Sequence, residues 1–169
     1  MSTHLIVGPT GSGKSHTLQQ LIAQAATDPA TTTWAITPRS ELTAADRHTT
    51  PDGAEQMLTH ALAIVDQRNA TLRDARQRAH QPTPTAPRIR LLIDEAEHLL
   101  RHEPLAEQLH RLVTTGRPAA VETVVAVSDL RLNLWPLDLR DHYLAGTVTQ
   151  LHRGARAVPG IHALTDTQN

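Results

Sequence analysis

The chain has no cysteine, no phenylalanine and a single lysine. Without cysteine, neither disulfides nor thiolate metal sites are available. Aromatic residues make up 2% of the chain, so the core must be built from Leu, Val, Ile and Ala. No apolar run approaches a membrane span, and no signal-peptide pattern precedes the first apolar segment, so a cytoplasmic location is expected. The net charge of −1 argues against a generally basic nucleic-acid-binding surface, although local arginine clusters stay open. The 169 residues suit one domain spanning 1–169, with a frayed C-terminus at 165–169.

The one lysine, Lys14, stands in Gly8-Pro9-Thr10-Gly11-Ser12-Gly13-Lys14-Ser15. The segment fits G-x-x-x-x-G-K-[ST], the phosphate-binding loop. A compact ammonium on a flexible stem can sit between phosphate oxygens where a planar guanidinium fits poorly. His4-Leu5-Ile6-Val7 reads as a buried strand before the loop. After it, Leu18, Leu21, Ile22 and Ala25 fall on one helical face. The glycines let backbone N–H groups turn toward an anion, and the helix N-terminus adds partial positive charge. The expected nucleotide-binding residues are Gly8 through Ser15 with His16. Ser15 is also expected to hold Mg²⁺.

Arg88-Ile89-Arg90-Leu91-Leu92-Ile93-Asp94-Glu95 is an apolar run ending in two acids. It reads as a buried parallel strand with carboxylates at its C-terminal edge, where ligands of α/β sheets gather. Beside a phosphate loop it is a Walker B element. Asp94 is expected on Mg²⁺ and Glu95 on the attacking water. That pair suits NTP hydrolysis better than phosphoryl transfer to a small acceptor. A small-molecule kinase is further disfavoured because no arginine-rich lid is evident.

The remaining segments alternate. Thr32 to Thr37 reads as a strand stopped by Pro38, and Ala54 to Arg78 as one long helix. The arginines near its end, Arg68, Arg73, Arg76 and Arg78, read either as a solvated face or as a nucleic-acid or subunit contact. Residues 79–87 form a Pro-rich loop. Leu105 to Thr115 reads as a helix and Glu122 to Ser128 as a strand. Tyr143 to Val148 reads as a last strand, and 154–162 as loop and edge strand. His98 and His102, four apart after Walker B, share a helical face in this reading but lack enough ligands for zinc. The order predicts an α/β fold, a mostly parallel sheet flanked by helices.

Together these segments resemble the motor core of the FtsK/SpoIIIE DNA translocases, in the HerA–FtsK group of P-loop ATPases. The likeness is greatest to FtsK-like transfer proteins of actinobacterial mobile elements. It rests on the phosphate loop, Trp34-Ala35-Ile36-Thr37-Pro38-Arg39 with Glu41-Leu42, Val65-Asp66-Gln67-Arg68, Ile93-Asp94-Glu95-Ala96, and Thr115-Gly116-Arg117-Pro118-Ala119. The resemblance implies a RecA-like P-loop NTPase fold, ATP and Mg²⁺ as cofactors, and ATP hydrolysis. It also implies double-stranded DNA as partner, a homo-oligomeric ring with a hexamer as one size it allows, and docking on larger transfer machinery. Arg117 corresponds to an arginine able to reach a neighbour's γ-phosphate, with an ordinary surface arginine as the alternative. Arg140 is a second such candidate.

Two departures from the family stand out. Ser128 replaces a glutamine that senses the γ-phosphate, making Ser128 a candidate sensor. Thr37-Pro38-Arg39 lacks the acid of the family's Asp-Pro-Lys. Both leave room for an accessory nucleotide-binding subunit with little intrinsic hydrolysis.

Overall fold

Near-continuous apolar runs such as Leu91-Leu92-Ile93 need cover on both faces, the condition of a parallel sheet. The computed structural model describes residues 3–131, 135–136 and 138–152. Its strands are β1 (Thr3–Val7), β2 (Thr31–Ile36), β3 (Arg47–Thr49), β4 (Arg88–Ile93), β5 (Val121–Val127) and β6 (Thr147–Gln150). The helices are α1 (Lys14–Ala25), α2 (Ala54–Asp74), α3 (Glu97–Leu100), α4 (Glu103–Thr115) and α5 (Leu139–Leu144). The sheet order is β3-β2-β4-β5-β1-β6, and every pair is parallel. This is the RecA-like P-loop architecture.

Strand side chains alternate between the sheet's faces. Leu5, Val7, Trp34, Ile36, Leu91, Ile93 and Val125 pack with Leu58 and Leu62 of α2 and with Leu109 and Leu112 of α4. Ile6, Ala35, Leu92, Val124 and Ala126 pack with Leu18 and Ile22 of α1. The central strands β1, β4 and β5 therefore end side by side, and the polar loops after them share one edge.

Several elements differ from the sequence expectation. The helix read as reaching Arg78 stops at Asp74: Arg76 turns left-handed at φ 53°, and Gln77 N–H closes on Leu72 O at 2.8 Å. That is a helix cap made without glycine. Tyr143 and Leu144, read as strand, are the end of α5, where burial of Tyr143 overrides its β propensity. Gly146 then turns the chain against β1, where a β-carbon would lie 2.2 Å from Thr3 Oγ1. His98 and His102 share no helix, because α3 ends at Leu100 and His102 precedes α4. Residues 154–162 and 165–169 lie outside the described residues. Among the described residues, no helix is long and apolar enough to cross a membrane.

Candidate nucleotide site

The site begins where β1 ends. Gly8 N–H donates to Val127 O at 3.1 Å, pinning the loop's start to the end of β5. A side chain at Gly8 has no room: its β-carbon would lie 2.5 Å from Ser12 Oγ and 2.8 Å from Leu151 O. Gly11 and Gly13 have φ of 80° and 94°, with open space where a β-carbon would project. The loop thus turns through two left-handed glycines before α1 begins at Lys14. Pro9, Thr10, Gly11 and Gly13 are exposed on its rim. His16 is exposed as well, and its Nε2 lies 3.2 Å from Gln20 Nε2.

Lys14 is buried, and its ammonium donates to Gly8 O at 2.7 Å and to Pro9 O at 3.3 Å. An ammonium has three donors, so a third remains for a phosphate oxygen. Ser12 is buried, and its Oγ has no partner among the described residues. A buried hydroxyl left open beside the Lys14 ammonium's loop fits an anion such as phosphate.

Asp94 is buried at the end of β4, and Ser15 Oγ donates to its Oδ2 at 2.8 Å. Two hard oxygen donors from different elements meet here, a donor set that suits Mg²⁺ held partly through water. Glu95 follows with φ 49°, a left-handed conformation rare for a residue with a side chain. The surrounding bonds hold it there. Asp94 N–H donates to Ile36 O, Glu95 N–H to Asp94 Oδ1 and Ala96 N–H to Ala126 O, at 2.9, 3.0 and 2.9 Å. Strain of this kind costs roughly 1–3 kcal/mol and persists only where neighbours over-determine it. It turns the Glu95 carboxylate out of the sheet edge, exposed, where Arg39 Nη2 approaches to 3.3 Å.

Ser128 follows β5 beside the phosphate loop. Its side chain is exposed, and its backbone N–H donates to Glu97 Oε1. Lys14, Ser15, Asp94, Glu95 and Ser128 are therefore gathered at one edge. Glu97 and Arg39 join them as contacts that sequence reasoning did not assign. The acid two residues beyond Glu95 was the available signal for Glu97.

Arg117 lies elsewhere, in the turn between α4 and β5, at the opposite edge of the sheet. The length of β5 separates the two edges, about 20 Å at 3.3 Å per residue. Arg117 is exposed and makes no ion pair among the described residues. Its turn is tied down from α2. Arg68 donates to Ala119 O and to Pro87 O, each at 2.8 Å, and Asn69 donates to Thr115 O at 3.1 Å. Arg68 is thus a structural brace, not part of a free basic face. Arg73, Arg76 and Arg78 are exposed.

A glycine loop between strand and helix, with its lysine buried and its serine against the Asp of a neighbouring strand, defines a P-loop NTPase domain. The chain belongs to the AAA domain family, which matches residues 2–129. No curated protein matches it significantly. Among solved structures it is similar to EssC (ATPases 2 and 3) from Geobacillus thermodenitrificans, at 15% identity and TM-score 0.73, over 89% of this chain and 32% of that one. It is similar to Thermomonospora curvata EccC (ATPases 2 and 3) in complex with a signal sequence peptide, at 20% identity and TM-score 0.67, over 88% and 31%. A third is the pCW3 conjugation coupling protein TcpA in its monomer form with ATPgS, at 17% identity and TM-score 0.65, over 84% and 47%. Identities this low establish a shared fold, and the chain spans less than half of each of these proteins.

Proposed function

We propose that this chain is a Mg²⁺-dependent ATPase of FtsK-like type that acts on double-stranded DNA as a ring oligomer. The observation that carries the ATPase reading is the 2.8 Å bond from Ser15 Oγ to Asp94 Oδ2, with Lys14 buried under the loop. Lys14 and the loop from Gly8 to Ser15 hold the phosphates, with His16 at the rim. Ser15 and Asp94 hold Mg²⁺, which neutralises phosphate charge when bound. Glu95 orients and deprotonates water. Adenine is preferred over guanine on the family resemblance.

Arg117 cannot reach the phosphates of its own chain across about 20 Å of strand. In a ring it serves a neighbour's nucleotide, where an arginine finger is worth about 10³–10⁵ in rate. Support for a DNA substrate comes from the family resemblance and from TcpA, named as a conjugation coupling protein. The exposed Arg73, Arg76 and Arg78 sit toward the same sheet edge as Arg117 and add positive charge there.

One contact favours a second reading, an accessory subunit that binds ATP but hydrolyses little and docks on a larger machine. Arg39 engages Glu95, and the position after β5 carries the short Ser128 with its amide already taken by Glu97. The deciding experiment is ATP hydrolysis against protein concentration, with and without double-stranded DNA, beside Lys14→Ala and Glu95→Gln. Specific activity that rises with concentration and DNA, and disappears in both variants, supports the ring ATPase. Tight ATP binding with negligible turnover throughout sinks it and selects the accessory subunit.

A further inference from the structure

On the far side of the fold from the phosphate loop, α4 and α5 bring three ligand-type side chains to one point. His110 lies on α4 and His142 on α5, and Asp138 immediately precedes α5. His110 Nε2 is 2.8 Å from Asp138 Oδ1, and His142 Nε2 is 3.3 Å from Asp138 Oδ2. The two imidazoles stand 5.6 Å apart, tilted by 58°. One ligand atom from each residue lies within 4.8 Å of the other two. Around a tetrahedral ion with bonds of about 2.0–2.1 Å, ligand atoms sit about 3.3 Å apart. The three side chains are thus close to the spacing of a coordination sphere before any ion is added.

Asp138 lies between the two imidazoles, and His110 Nε2, shielded from solvent, is within hydrogen-bond distance of its Oδ1.

We propose that His110, Asp138 and His142 form a binding site for a divalent transition metal, Zn²⁺ by preference, with water completing the sphere. Two imidazoles and one carboxylate match Zn²⁺, whereas Mg²⁺ and Ca²⁺ favour all-oxygen sets. The site is separate from the Ser15–Asp94 pair. Thr3 Oγ1 donates to His142 O at 3.2 Å, which puts α5 at the start of β1, opposite the end that leads into Gly8. A bound ion would rivet α5 to α4, the helix that runs into the Arg117 turn.

The test is calorimetric titration of the tag-free full chain with Zn²⁺, followed by Co²⁺ as a spectroscopic stand-in. The expected result is one Zn²⁺ per chain, a rise in Tm with Zn²⁺, and the intense visible bands of low-coordinate Co²⁺. Each ligand variant, His110→Gln, Asp138→Asn and His142→Ala, should weaken binding by more than about tenfold. His98→Ala, outside the cluster, should bind as wild type does. Asp138 is exposed, so Asp138→Asn should stay folded even if a histidine variant does not, and circular dichroism checks this. Binding below one equivalent, or affinity unchanged in Asp138→Asn and His142→Ala, would overturn the proposal and leave a His–Asp–His ion pair only.

Discussion

Arg68→Ala removes the brace that joins α2 to the turn carrying Arg117. Arg68 donates to Ala119 O and Pro87 O, both at 2.8 Å. Hydrogen bonds to a charged group contribute about 1.5–3 kcal/mol each. Burial opposes this and holds the guanidinium pKa below its ordinary value. The side chain is half-buried, so water reaches part of what the arginine leaves behind. The net loss should be about 2–3 kcal/mol, at or below the lower end for two such bonds because burial offsets part of them. For a chain of this size that lowers Tm by about 4–12 °C. Thermal unfolding of Arg68→Ala beside Arg68→Lys is the assay. A lysine is a point charge and cannot span carbonyls of two separate segments with a planar fork, so it should recover less than half of the loss. In the hydrolysis assay, Arg68→Ala should reduce the rise of activity with concentration while leaving nucleotide affinity within about twofold. A Tm within about 1 °C of wild type, or full recovery by lysine, would refute the bracing argument.

Two further outcomes follow from contacts at the site and at the start of β1. The Arg39–Glu95 pair is exposed on both sides, so Arg39→Ala should change stability by less than about 1 kcal/mol. Freeing the Glu95 carboxylate from this contact lets it turn to the attacking water and should raise kcat about 2–5-fold, and a fall in kcat would show that Arg39 positions the acid instead. His4 is partly buried, with Nε2 2.9 Å from Thr149 Oγ1, and burial and then the Arg90 cation lower its pKa from 6.5. The unfolded chain therefore takes up this proton first, so the contribution is complete above about pH 6.5 and is lost as pH falls below it. Urea midpoints should drop more steeply from about pH 7 to pH 5 in wild type than in His4→Gln, and equal slopes would count against the assignment.

What could be read from the chain and what could not divide along sequence distance. The phosphate loop is eight consecutive residues, and its chemistry is local: glycines that turn, a lysine that reaches, a serine that opens a helix. The apolar run to Asp94 is local too, and so both were legible. Arg68 looked like its neighbours Arg73, Arg76 and Arg78 because composition cannot show which residue of a helix faces carbonyls 19 and 51 positions away. The same holds for Glu97 and Ser128, 31 positions apart and joined only because β4 and β5 are adjacent strands. β3 escaped notice because Arg47-His48-Thr49 is short and mostly exposed, without an apolar alternation to announce it. Arg117 belongs to both groups. Its Gly-Arg-Pro turn was visible in the sequence, but its position across the sheet from Lys14 was not. That position changes the question asked of it. An arginine at the opposite edge cannot complete its own chain's site, so if it contributes to hydrolysis at all, the catalytic unit is a pair of chains and not one.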